Sequence, residues 1–591
     1  MKTTTLPSTT NMNSLSNQKR AKILTGWLFI LFPFFIFGQT WTGNVSDDWN
    51  TGGNWTGNAV PGITSTSVTI PSTVTSGRWP KLSADATVGI LTMSSGSQLD
   101  VNGYKLTSQY GTNINTATIN DASGGSGLLI AGTTAYNANF SIQNSVFHSK
   151  AQIQAGGTST ANNTLIWSST FNKQLTVFSY GQAFFWLGSN AVNGAPANTF
   201  PNVYNDDVII YHSATTTATQ MVVEVGNTGK NAVFKGDLTV YMNSNAPYFG
   251  PGTHGGSHSI AGNYTFYKQT GSGAVQLGAI SYTSTATLNI TGDLIYEVLP
   301  GATSNTTYLG ANNSNALVGN ITVGGKVDMR LMSSTAGTDD FFLRNVNNST
   351  YTGQKGDIVS KDVGRVDLIN CKLELDSLHL AGAEYNSILD NTLNTNWAFI
   401  PHNSAGSRTY IDGNRISGEV LLRQNVATTG NDYFVSGSRA TTNTGSKGNV
   451  YLGNVTANLA ATVNGQMQIG RFGTDSIYGN LTVSNWGIGD FIMSPGAGRV
   501  YVGGNMTMTQ SGTNQGNFYV SPDGNVEIKG DLSITAPNAI IDMNMNAGKK
   551  VIVGGKFNFD GNHTGSPTMT FVNFEVGTNG GIFKTGEKAT G

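Results

Sequence analysis

The stretch 476–534 reads Ser476-Ile477-Tyr478-Gly479-Asn480-Leu481-Thr482-Val483, then Val500-Tyr501-Val502-Gly503-Gly504-Asn505-Met506-Thr507-Met508, then Val526-Glu527-Ile528-Lys529-Gly530-Asp531-Leu532-Ser533-Ile534. The same phrase returns each time: an alternating apolar run, Gly, Asn or Asp, then apolar-Thr/Ser-apolar. Alternation puts every second side chain on one face and so marks a half-buried strand. Gly-Asn or Gly-Asp between two such runs reads as a sharp corner that uses the backbone freedom of glycine.

Working outward, clear copies recur at Gly236-Asp237-Leu238-Thr239-Val240 and Gly319-Asn320-Ile321-Thr322-Val323, with looser ones at Gly262, Gly292, Gly453 and Gly555. Successive copies lie about 25 to 30 residues apart, a period that signals a solenoid. Between Gly319 and Gly453 the phrase blurs, with candidate copies at Gly356-Asp357-Ile358 and Gly418-Glu419-Val420. Earlier in the chain, Phe147-His148 and Phe171-Asn172 keep a similar rhythm. One coil cannot bury its apolar face alone, and stacked neighbours complete the core. Sustained helical spacing is absent. A run of β-sandwich domains would repeat over about 100 residues rather than a quarter of that. The expected fold is therefore all-β: a right-handed parallel β-helix, with Leu238, Val240, Leu481, Val483, Leu532 and Ile534 in one continuous core.

Composition narrows the function. Of 591 residues, 38% are hydrophobic and 11% charged, Gly numbers 75, and the net charge is −1. Low hydrophobicity with high net charge would favour disorder, and neither holds. Nucleic-acid binding needs clustered Lys and Arg, which are missing. A single cysteine, Cys371, excludes an intrachain disulfide; it reads as a small buried apolar residue within Leu368–Leu375.

Lys19, Arg20 and Lys22 precede Ile23–Phe37, reading ILTGWLFILFPFFIF. A basic cluster, an apolar run and a small residue at Gly38 predict an export signal over 1–38. The run falls short of the roughly 20 residues of a membrane span. No second long apolar run follows, so no integral membrane segment is expected after cleavage. Residues 39–105 are expected to form an N-terminal cap and first strands, with Trp41, Trp49 and Trp55 closing the first coil. The solenoid then runs over 106–591.

The order W-T-G, D-W-N, N-W, V-P and V-T-I-P across Trp41–Pro71, followed by Leu99-Asp100-Val101-Asn102-Gly103 and the G-N-L-T-V coils, resembles large secreted surface proteins of the Bacteroidota type, which look like parallel β-helices with adhesin-like repeats. The resemblance implies an outer-surface or extracellular location and a C-terminal sorting domain. The chain closes on GEKATG at Gly586–Gly591 in mid-rhythm, so a solenoid cut short at the C-terminus is expected. Asp376-Ser377-Leu378 and Asp475-Ser476-Ile477 are similar to the short O-glycosylation motif of these bacteria.

Parallel β-helices also carry pectin-lyase-like carbohydrate enzymes, so catalytic constellations matter. Asp206-Asp207 is followed by Thr253-His254-Gly255, but without the spacing or basic partner of a hydrolase. Asp339-Asp340 has no such follower. Glycoside hydrolysis needs two carboxylates facing one bond, whereas neighbours on a strand face opposite ways. His254 and His258 sit in a Gly-rich stretch unsuited to helical metal spacing, and scattered Asp-Gly pairs read as turns rather than calcium ligands. Neither catalytic, cofactor nor metal residues are assigned. Phe184-Phe185-Trp186, Tyr248-Phe249, Phe341-Phe342 and Trp397-Ala398-Phe399 are candidates either for the core or for stacking on sugars. The expected function is extracellular display, adhesion or surface-layer support without catalysis, with polysaccharide or a host or neighbouring cell surface as partner. The alternative is a carbohydrate-binding or carbohydrate-active β-helix.

Overall fold

The structure is a computed structural model. It describes residues 38–585 apart from short segments at 64–66, 133–138, 157–163, 181–184, 189–199, 215–219, 225–230, 254–255, 279–285, 303–305, 311–318, 334–338, 381–384, 404–407, 426–432, 439–444, 461–463, 487–488, 511–515, 537–539, 561–568 and 578–582. All but Gly38 of the expected export signal, and the terminal GEKATG, lie outside the described residues. All the described residues belong to the unit Phe37–Gly591.

Short strands succeed one another along this unit, and every strand-to-strand ladder is parallel. In most coils a strand pairs with the strand three places further along the chain, so three sheets run side by side up the stack. Val450–Tyr451, Thr474–Ile477, Arg499–Val502 and Asn525–Ile528 belong to the first sheet. Leu238–Asn243, Tyr264–Thr270, Leu294–Val298, Leu481–Trp486, Met506–Gln510 and Leu532–Thr535 belong to the second. Phe185–Leu187, Asp340–Arg344, Asp490–Met493 and Asn517–Val520 belong to the third. The fold is a parallel β-solenoid.

Alternation fixes which face is buried. Leu238, Val240, Leu481, Val483, Leu532 and Ile534 are all within 1% of complete burial and belong to a single hydrophobic cluster. Aromatic rings stack inside the coils as well. Phe147 lies on Phe171 with centroids 4.8 Å apart, Phe171 on Tyr204 at 5.8 Å, and Tyr204 on Phe234 at 4.4 Å. The Phe147 and Phe171 rhythm read from sequence is therefore one of successive coils.

The corner between the first and second sheets explains the Gly-Asx phrase. Oδ1 of Asp207 accepts the backbone N–H of Asp237 at 2.9 Å, and Asp237, Asn263 and Asp293 pass the pattern on to Asn263, Asp293 and Lys326. A second run carries it from Asn454 through Asn480, Asn505 and Asp531 to Lys556, each at 2.8 Å. Both runs stop where lysine replaces the Asx, because its side chain has no acceptor.

The glycine before each Asx serves space rather than the expected backbone freedom. None of Gly236, Gly262, Gly292, Gly479, Gly504, Gly530 and Gly555 adopts positive φ, whereas Gly418 of the Gly418-Glu419-Val420 copy does, at 79°. A Cβ on Gly530 would lie 2.2 Å from Asn505 Oδ1, and one on Gly504 2.4 Å from Asn480 Oδ1. Left-handed residues recur instead between the third and first sheets, at Asn144, Ser168, Asn345, Asn370 and Asp390 among others. Asn and Asp bear that conformation at lower cost than most non-glycine residues.

Two features of the rhythm differ from the sequence reading. Gly319–Val323 is a first-sheet strand paired with Ala286–Ile290, and the corner follows it at Gly325-Lys326. Apolar-Thr-apolar is common to all the sheets, so this copy mimics the corner phrase. In the blurred stretch the coils tighten to 20 and 22 residues around Asp376, Asn396 and Ser417, and the next spans 35 from Glu419 to Asn454. Along the corner ladders, coils span between 26 and 33 residues from Asp207 to Lys326, and those from Asn454 to Lys556 alternate between 26 and 25.

At the N-terminal end, Gln39–Thr40 pairs with Val68–Ile70, that strand with Ala86–Met93, and that with Lys105–Asn115. Trp41, Trp49 and Trp55 are completely buried. Trp55 meets Trp41 edge-on at 5.0 Å and Trp49 at 4.7 Å, a favourable geometry for aromatic pairs. Asn54 holds the loop between them: its Oδ1 accepts the N–H groups of Val45 and Ser46, and its Nδ2 donates to the Asp48 carbonyl.

Candidate functional site

The residues that could have carried chemistry are distributed through the framework. Asp206 accepts the N–H of Asp207 at 2.8 Å, and Asp207 starts the corner ladder. His254 lies outside the described residues. His258 is 1% exposed, with Nδ1 accepting the N–H of Ala232 at 3.2 Å. Asp339 is buried while Asp340 is half-exposed at the strand start, so the pair is split between faces. Cys371 is fully buried, with Sγ directed at the carbonyls of Ile369 and Leu343, and burial pushes its thiol up to about 12. It is the small core residue expected from its neighbours. Among the described residues, no three His, Cys, Asp or Glu side chains stand where they could share a metal ion.

The two glycosylation-like serines are placed differently. Ser377 is half-buried and donates to Asp357 Oδ1 at 2.7 Å. Ser476 faces outward from its strand, but the Asp475 before it is buried.

Asp475 belongs to a feature that the sequence reading missed: buried polar side chains linked from coil to coil. The N–H of Cys371 donates to Asn391 Oδ1, that of Asn391 to Asn414, that of Asn414 to Asn449, and that of Asn449 to Asp475 Oδ1. Ser436 Oγ and the Gly470 N–H supply further donors to Asp475. Burial nevertheless pushes its carboxyl up to about 6. An earlier series runs from Ala117 through Ser145, Ser169 and Asn202 to Glu224. Each series ends on a buried carboxylate, which suits a row of N–H groups aimed along the stack. A buried ion cluster was missed as well. Asp367 accepts from Arg365 at 2.6 Å and from Arg344 at 3.2 Å, and both guanidinium groups lie over the Phe342 ring, at 5.1 and 5.4 Å from its centroid.

Most of the candidate aromatics are core. Phe185, Tyr248, Phe341 and Phe342 are buried, Trp186 and Phe249 half-buried, and Phe184 lies outside the described residues. Trp397 is 36% exposed and stacks on Phe399, with His379 edge-on to both. A clearer outward row stands on the second sheet at Phe178, Tyr211, Tyr241 and Tyr267, with successive centroids 4.8, 5.0 and 5.3 Å apart. Aligning Leu175-Thr176-Val177-Phe178 with Val208-Ile209-Ile210-Tyr211 and Leu238-Thr239-Val240-Tyr241 exposes this row in the sequence. Its rings lie face to face, so within the row they present edges rather than open faces to solvent.

The outer face of the first sheet carries an open groove lined by Thr474, Arg499, Tyr501, Asn525, Glu527, Lys550 and Ile552. Thr474, Arg499 and Asn525 align in one column, and Ser476, Tyr501, Glu527 and Ile552 in the next. Glu527 is paired with Lys529 at 2.5 Å and Lys550 with Glu575 at 2.5 Å.

Fold and surface together define a parallel β-solenoid with ordered outward columns. No family model, curated protein or solved structure matches the chain. Among the described residues no helix is long and apolar enough to cross a membrane.

Proposed function

We propose that this chain is an extracellular, non-catalytic display solenoid that adheres through its outward side chains, with polysaccharide or a host or neighbouring cell surface as partner. One observation carries the reading: Asp207, His258 and Asp475 bond to the backbone of their own or neighbouring coils, and the outward columns are what remains to meet a ligand. The basic cluster and apolar run at 19–37 support export, and the Trp-rich order at Trp41–Pro71 supports kinship with secreted surface proteins. A stack of parallel coils suits display because it lengthens by repetition without a new core design.

The test uses the full chain. It is incubated with plant, algal and host polysaccharides, both in solution and immobilised. Retention without turnover is expected. Turnover that Asp206→Asn or Asp207→Asn abolishes would replace the display reading with an enzymatic one.

A further inference from the structure

We propose that the groove on the outer face of the first sheet binds an acidic glycan, with Arg499 holding a uronate carboxylate. This rests on the adhesive reading above and names the ligand class.

Most charges in and around the groove are already compensated. Glu527 is in an ion pair with Lys529, and Lys550 with Glu575. Arg499 lines the same groove, is exposed, and has no hydrogen-bond or ion-pair partner for its guanidinium among the described residues. The groove therefore carries one uncompensated positive charge on a planar fork of donors, the geometry that matches a carboxylate with two parallel bonds. Asn525 stands next in the column. Its Oδ1 accepts the Lys550 N–H at 3.3 Å, which leaves the amide Nδ2 as a donor. On the other side of Arg499 is the Thr474 hydroxyl.

Beside this donor column lie Tyr501, Glu527 and Ile552, and Tyr478, 58% exposed, meets Tyr501 edge-on at 5.9 Å. A strip of donors next to Tyr501 and Ile552 fits a sugar, with a polar edge and an apolar C–H face, and the Glu527 charge between them is held by Lys529. Consecutive rows are about 4.8 Å apart, comparable to one residue of an extended glycan, so successive sugars meet successive coils. An acidic peptide fits less well. The backbone groups of Arg499–Val502 are paired to coils on both sides, so a peptide cannot add to them as a strand.

Calorimetry on the full chain tests this with an oligogalacturonate, its methyl-esterified neutral counterpart and poly-glutamate. Arg499→Gln, Tyr501→Ala and, on the second sheet, Arg330→Gln are compared, each with its thermal unfolding followed. The free uronate is expected to bind, weakening at least tenfold on esterification, at least tenfold in Arg499→Gln, severalfold in Tyr501→Ala, and not at all in a folded Arg330→Gln. Equal affinity in a folded Arg499→Gln, or equal affinity for the ester, would overturn the site or the acidic class. Poly-glutamate binding as tightly as the uronate would overturn the glycan assignment. Retention of neutral polysaccharides without uronate binding would overturn this proposal and leave the adhesive reading standing; retention of none would remove both.

Discussion

The backbone N–H of Asp531 donates to Oδ1 of Asn505 at 2.8 Å, across 26 residues of chain. The same oxygen is the reason that Gly530 is glycine, since a Cβ there would approach it to 2.2 Å. Two residue choices in the repeat phrase thus depend on one inter-coil contact.

That coupling can be measured. Asn505→Ala removes an exposed acceptor and should cost about 0.5–1.5 kcal/mol. Gly530→Ala should cost more, because the Gly504 carbonyl also lies 2.8 Å from the new Cβ. The double variant should lose less than the sum of the singles, since Asn505→Ala removes the nearer obstruction. Urea midpoints of the four proteins decide it, and strict additivity would refute the shared contact.

Asp475 makes the stability depend on pH. Burial raises its carboxyl from an ordinary 3.8 to about 6, so the native protein holds a proton that the unfolded chain has released. This contribution is fully present below pH 3.8 and is lost as pH rises through about 6, to a total of about 3 kcal/mol. Asp475→Asn cannot titrate. The stability of wild type minus that of the variant should therefore fall between about pH 4 and 7. Thermal unfolding at several pH values checks the slope, and a flat difference would show that the carboxyl titrates normally.

Cys371 should be silent in the native state. Its thiol is buried and pushed up to about 12, so almost no thiolate is present at about pH 8. A disulfide reagent should label it at the rate of unfolding, and immediate labelling of the folded protein at that pH would contradict the burial.

Asp367 holds two arginines. Asp367→Asn leaves the Arg344 guanidinium, 6% exposed, without its carboxylate. Removing one partner of a buried pair should cost about 3–5 kcal/mol. Arg344→Met with Asp367→Leu should recover part of that loss, because the buried Arg344 charge is then gone and Arg365, which also loses the carboxylate, is 26% exposed and reaches water. Denaturation midpoints distinguish this from a cost that merely accumulates.

Trp397 and Phe399 show how little a residue type says about its place. They are two residues apart on one face of a strand, yet Trp397 is 36% exposed and Phe399 8%. Exposure here is set by the coils stacked against them, so the aromatics in the sequence do not by themselves separate core from surface.

What the sequence determined by itself was local. Val500-Tyr501-Val502 and Leu532-Ser533-Ile534 declare strands through their alternation, and recurrence every 25 residues or so declares a stack. The buried faces of Leu238, Leu481 and Leu532 follow from alternation alone. The tertiary structure decided whatever depends on residues 20 to 35 positions apart meeting across coils. It placed Gly319–Val323 on the first sheet, assigned most of the corner glycines to space rather than to left-handed backbone, joined Asn391, Asn414 and Asn449 to Asp475, and left the Arg499 guanidinium without a partner among the described residues. These outcomes depend on coil length, which sets vertical neighbours. Coil length varies along the chain without a period, so only the folded stack fixes which side chains share a column.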